Sequence, residues 1–202
     1  MGNLPSFRLQ EGMVFQHVGV DFGGPFLIRE SRRRKSALSK AYLSLFICMS
    51  TKAVHLEVVS TLETESFLAA LDRFIARRGK PIRIYSDCGT NFVGASRKLK
   101  EFEKSYSSPS SQDNIIDHTA RQSIEWSFIP PSTPHFGGIW EAGIKAAKAL
   151  LHKVLGETPL TFEELSTLFS KIEAVLNSRP LVPVSSDPEC IEALTPGHFL
   201  VG

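Results

Sequence analysis

Several features that would settle a protein's class at once are missing from this chain. Its 202 residues include only three cysteines, Cys48, Cys88 and Cys190, far apart and with no CxxC pair. That excludes a disulfide scaffold, argues against a structural zinc site and suits a reducing, intracellular compartment. No run of about 18 apolar residues occurs, so no transmembrane helix is expected, and no secretory signal is visible at the start. Excess charge is scarce too: 23 lysines and arginines against 21 acids leave a net charge of +2. A protein that holds nucleic acid through its overall field is usually more basic. Any such contact must come from local patches or from neighbouring modules. The remaining composition, 42% hydrophobic and 22% charged, is that of a globular domain with room for one full core.

Residues 15–22 (FQHVGVDF) alternate and read as a strand, which Gly23, Gly24 and Pro25 should end. RESRRRKS (29–36) is a basic polar turn. AYLSLFICM and AVHLEVV are two further strands, and three strands with short links predict an antiparallel meander. From Thr64 to Arg78, Phe67, Leu68, Leu71, Phe74 and Ile75 recur at helical spacing, with Gly79 and Pro81 as the stop. The strand carrying Ile82 and Ile84 comes next, and a strand reached through a helix suggests a parallel neighbour. A helix over 92–106, a polar loop SSPSSQDN and a fifth strand IEWSFIP follow. PPSTPHFGG is a loop, stiff at one end and hinged at the other. The helix expected from Trp140 to Leu155 buries Trp140, Ile144, Ala147, Leu151 and Val154. Glu141, Lys145, Lys148 and His152 form a second stripe beside them. A last helix starts at Thr161 or Phe162 and ends at Asn177. The order β-β-β-α-β-α-β-α-α implies an α/β fold, a five-stranded mixed sheet flanked by helices.

Three acids, Asp21, Asp87 and Glu141, stand where an apolar element meets a glycine-rich turn. Singly, each has an ordinary reading. Asp87 is a good helix N-cap, Asp21 suits a buried ion pair, and Glu141 suits an exposed helix face. In the sheet above, however, the first and fourth strands can be neighbours. Asp21 and Asp87 would then lie side by side, with the Trp140 helix bringing Glu141 to face them. Crowded carboxylates repel one another, and a divalent cation removes that penalty. Oxygen donors favour Mg²⁺ or Mn²⁺ over Zn²⁺.

The stretches VGVDFGGPF, TKAVHLEVV, YSDCGTNFVGA, IEWSFIPPSTPHFGGIWEAGIKAAK, LNSRPL and LTPGHFLVG, taken in order, resemble the catalytic core of retroelement integrases. The likeness is greatest to the Bel/Pao type of LTR retrotransposon. It implies a ribonuclease-H-like fold with a D,D-E site on Asp21, Asp87 and Glu141, catalytic and metal-binding at once. Two Mg²⁺ or Mn²⁺ ions would be held there, with Asp21 bridging both. Lys145, Lys148, Asn91 and His135 would contact DNA. The implied activity is that of a polynucleotidyl transferase, with 3′-end processing (an endonuclease step) and strand transfer. Its partners would be element ends, target DNA and further copies of the chain, with no membrane and no small-molecule substrate. The nucleus is the implied location if the protein is active, and otherwise an intracellular one. By the same resemblance, residues 1–14 are a lead-in, 15–178 the core and 179–202 the start of a downstream region.

Two departures from the family pattern stand out. Cys88 occupies a position where Asn is usual, and the Asp87–Glu141 spacing is longer than in retroviruses. Two rival readings stand beside it, and the LNSRPL and PPSTPHFGG blocks argue against the second. One is a catalytically inactive or host-retained core serving as a nucleic-acid-binding or interaction module. The other is a ribonuclease-H-like nuclease acting on RNA–DNA hybrids.

Overall fold

The computed structural model describes residues 12–33, 35–87, 109–129, 134–155, 159–185 and 192–200. Strands β1 (His17–Arg29), β2 (Leu38–Cys48) and β3 (Val54–Val59) form the antiparallel meander. Helix α1 (Thr64–Arg78) leads into β4 (Arg83–Asp87), and α2 (Pro109–Arg121) leads into β5 (Glu125–Ile129). Then come α3 (Pro134–Val154), the two-residue β6 (Leu160–Thr161) and α4 (Phe162–Asn177). The sheet order is β3-β2-β1-β4-β5, with β4 parallel to both β1 and β5, and β6 pairs with the far end of β1. A small hairpin of β7 (Val182–Pro183) and β8 (Ala193–Leu194) precedes a short 3₁₀ turn over Pro196–Phe199.

The alternation of the strands feeds two cores, one on each face of the sheet. Val18, Val20, Phe46 and Ile84 pack against Phe67, Leu71 and Phe74 of α1 and Ile115 of α2. On the other face Leu43, Leu45, Ile47, Leu56 and Val58 meet Trp140, Ile144 and Leu151 of α3 and Phe169 and Ile172 of α4. A sheet covered on both faces explains why β2 reads as a nearly unbroken apolar run over residues 41–48, and why every residue of β3 is buried, His55 and Glu57 included.

Five expectations are corrected. β1 does not end at Gly23. It runs to Arg29 across a register shift between Gly23 and Phe26, and Gly24 takes a φ of +128° that favours glycine there. The polar stretch from Pro109 onward is helical, not a loop. Proline suits a first helical turn, and Ile115 and Thr119 bury one side while the polar residues face out. Val154 is 63% exposed because α3 ends on it, and Ile82 is 54% exposed because it precedes β4. Finally, α3 starts at Pro134, so PHFGG forms its first turn and is not a hinged loop. The helix expected over 92–106 lies outside the described residues.

β3 forms an edge of the sheet, yet side chains occupy its outer backbone groups. The Val54 amide donates to Asn177 Oδ1 at 2.8 Å, and Asn177 Nδ2 donates to the Val54 carbonyl at 2.9 Å. The Leu56 amide donates to Glu173 at 2.8 Å, and Arg73 donates to the Val58 carbonyl at 3.1 Å. His55, 3% exposed, lies between Glu57 and Glu173, each 3.1 Å from one ring nitrogen. Arg73 and Arg77 each approach Glu57 to 2.7 Å, and Arg78 binds Glu173. Burial alone would push the imidazole pKa down. Its hydrogen bonds to Glu173 and Glu57 outweigh burial and hold it above 6.5. Arg78 Nε also lies 3.4 Å from Nδ1, a contact that a protonated Nδ1 cannot accept. The shorter carboxylate contacts decide in favour of the imidazolium.

Candidate active site

The parallel pairing of β1 with β4 sets Val18 opposite Ile84 and Val20 opposite Ser86. One residue further along each strand stand Asp21 and Asp87, level at the point where β4 ends. Asp21 is half-buried, and its Oδ1 accepts the Phe22 amide at 2.7 Å. For Asp87 the backbone position is described and the side chain is not.

Gly19, Asp21 and Gly23 share one face of β1, and α3 covers that face. A Cβ on Gly19 would stand 2.4 Å from Trp140 Cε3. One on Gly23 would meet Lys148 Cε at 3.2 Å and Ile144 at 3.6 Å. One on Gly143 would meet Leu45 at 3.1 Å, and Leu45 is the β2 partner of Asp21. The helix therefore crosses the sheet at the Asp21–Leu45 pair. Close approach is possible there because both glycines beside Asp21 leave room.

Glu141 follows the buried Trp140 and is exposed. Lys145 is exposed one turn on, and Lys148 is half-buried with its stem on Gly23. Asn91 lies outside the described residues. His135 is placed in the first turn of α3 by its backbone alone. In the basic turn, Arg32 pairs with Glu164 at 2.7 Å, beside Arg29 at 3.6 Å, at the start of α4. The Glu164 carboxyl is held at about 2, first by the Thr161 backbone amide and then by Arg32.

Among the described side chains no group of three His, Cys, Asp or Glu is placed to hold a metal, and Asp87 is not among those side chains. The two residues that the backbone sets level at this strand end, Asp21 and Asp87, are both carboxylates, a donor type that suits a hard divalent cation. Gly23 was legible only as a turn residue, and Gly19 only as part of a strand. Their spacing, two before and two after Asp21, is the signal that marks them as a floor for a helix.

No protein-family model matches the chain, and no curated protein does. Solved structures do. The HTLV-2 integrase catalytic core domain in complex with magnesium, in its dimeric form, aligns with a TM-score of 0.54 at 17% identity, covering 93% of this chain and 97% of that one. The catalytic core domain of BIV integrase aligns at 0.55 and 12% identity, covering 92% and 93%. This chain has the fold of retroviral integrase catalytic cores. It is ribonuclease-H-like, with the mixed sheet and flanking helices expected above; the two-residue β6 adds a sixth strand to the five expected. A chain of the simian T-cell lymphotropic virus intasome, solved with PP2A regulatory subunit B56 gamma, aligns at 0.57 and 14% identity. The alignment takes in 96% of this chain and 57% of that longer one. Among the described residues no helix is long and apolar enough to cross a membrane.

Proposed function

We propose that this chain is the catalytic core of a DNA integrase, a polynucleotidyl transferase of the Bel/Pao retrotransposon type. One observation carries the reading most: Asp21 and Asp87 stand level on adjacent parallel strands, with the Glu141 helix seated over the first of them. The integrase-core fold supports it. Asp21, Asp87 and Glu141 would hold two Mg²⁺ or Mn²⁺ ions. Bound there, the ions would supply Lewis-acid activation of the attacking oxygen and charge stabilisation at the leaving one. Lys145 and Lys148 hold the adjoining phosphates, and Asn91 and His135 are the further DNA contacts that the resemblance assigns. In 3′-end processing water attacks phosphorus and displaces the 3′-oxygen, and in strand transfer a DNA 3′-hydroxyl attacks a target phosphodiester and displaces its 3′-oxygen, with no covalent protein intermediate. The working form is a homo-oligomer acting in the nucleus.

The test is a strand-transfer assay with matched long-terminal-repeat ends, run with and without the flanking modules. Divalent-dependent joining that is lost in Asp87→Asn supports the reading. Binding without any cleavage in every form would favour an inactive binding module, and preference for RNA–DNA hybrid would favour another nuclease.

A further inference from the structure

Trp140 and Lys148 are eight residues apart, about 12 Å along a helix axis at 1.5 Å per residue. Gly19 and Gly23 are four apart, about 13 Å along a strand at 3.3 Å per residue. Two knobs on α3 thus match two vacancies on β1, with Asp21 standing between the vacancies. The Trp140 knob is rigid. The side chain is 1% exposed, and the Gly19 contact is with its ring. A buried ring does not move aside as the tip of a flexible side chain does. Gly19 has no positive φ, so its backbone would accept alanine; the ring at 2.4 Å is the main obstacle, and Ile47 Cγ2 at 3.2 Å crowds the same spot less severely. Glu141 is the residue next to Trp140. Whatever fixes the ring along β1 therefore fixes the start of the Glu141 side chain against Asp21.

We infer that Gly19 and Trp140 are positioning residues: their interlock sets how far α3 lies along β1, and so whether Glu141 and Asp21 reach one metal site. The inference rests on the metal-binding reading above. Supporting residues placed loosely leave a site present but misaligned. Gly19→Ala pushes the ring, and α3 with it, off its seat. Trp140→Phe leaves the seat partly empty and the helix free to slide.

The test is Mn²⁺ affinity of the chain without DNA, read by electron paramagnetic resonance of the free ion, beside urea unfolding. Wild type is expected to bind Mn²⁺, and Asp21→Asn to lose that binding. Gly19→Ala and Trp140→Phe should each bind about ten-fold more weakly while still folded, a loss typical of groups that orient metal ligands. Gly19→Ala/Trp140→Phe, in which the smaller ring makes room for the methyl, should recover to within about two-fold, as coupled neighbours do. Phe74→Leu, in the core of the opposite face, is the control: it should lose stability with no change in affinity. If Gly19→Ala fails to fold, Trp140→Phe carries the test alone. Wild-type affinity in the folded single variants, or an equal loss in Phe74→Leu, overturns the interlock and leaves the metal site standing. Wild-type binding that does not depend on Asp21 overturns both.

Discussion

Asn177 grips Val54 in both directions, accepting its amide at 2.8 Å and donating to its carbonyl at 2.9 Å. The side-chain amide stands where a further strand would pair, because β3 ends the sheet. Bare edges recruit other chains. Asn177→Ala leaves two backbone groups without these partners, so stability should fall by about 2 kcal/mol in urea unfolding. An unchanged midpoint would mean that the clamp contributes nothing.

The imidazolium behind that clamp gives a signed pH dependence. The folded pKa of His55 is raised above 6.5, by Glu173 and Glu57 against burial. Its contribution is full below pH 6.5 and is lost as pH rises through the raised value. Burial pushes Glu57 and Glu173 up, but their partners hold both below 4.5. Their contribution is present above pH 4.5 and is lost as pH falls through the lowered values. Wild type should therefore lose stability as pH climbs from 6.5, and His55→Gln should remove that decline. Equal slopes for the two proteins in urea unfolding across pH would contradict a charged His55.

Divalent metal should stabilise the fold. A ligand that binds only the native state adds about 2.7 kcal/mol at a hundred times its Kd. Thermal melts with millimolar Mg²⁺ or Mn²⁺ should rise for wild type and stay flat for Asp21→Asn. An equal rise in both would place the ion elsewhere.

Lys145 and Lys148 share the Glu141 stripe on α3. As phosphate contacts they set position more than sequence preference. The Lys145→Gln/Lys148→Gln protein should bind unrelated duplexes more weakly, with a salt slope shallower by about one per lysine. Lys145 is exposed, and glutamine keeps part of the stem that Lys148 lays on Gly23, so folding should be preserved. Unchanged affinity and slope would return both to a solvated face.

Most of the frame was legible because period and punctuation agree. The apolar spacing of Phe67, Leu71 and Phe74 gave α1 its bounds, and Thr161 with Glu164 closes the capping box that starts α4. The parallel neighbour of β1 followed from a helix crossover. What misled was punctuation that tertiary contacts override. Gly23, Gly24 and Pro25 look like a stop, but a register shift carries β1 past them. Pro109 and Pro134 look like loop residues, yet each opens a helix. Asn177 was legible only as the end of the last helix and as part of LNSRPL. Its role needs β3 and α4 in one place, 123 positions apart in the chain, and no local pattern encodes that.

The most direct measurement is anomalous diffraction from crystals soaked in Mn²⁺ at a concentration that saturates the thermal shift. A manganese peak bonded to the Asp21 and Asp87 carboxylates, with Glu141 reaching the same site, is the expected result. Saturating Mn²⁺ bound elsewhere, with Asp21 and Asp87 turned apart, would contradict it.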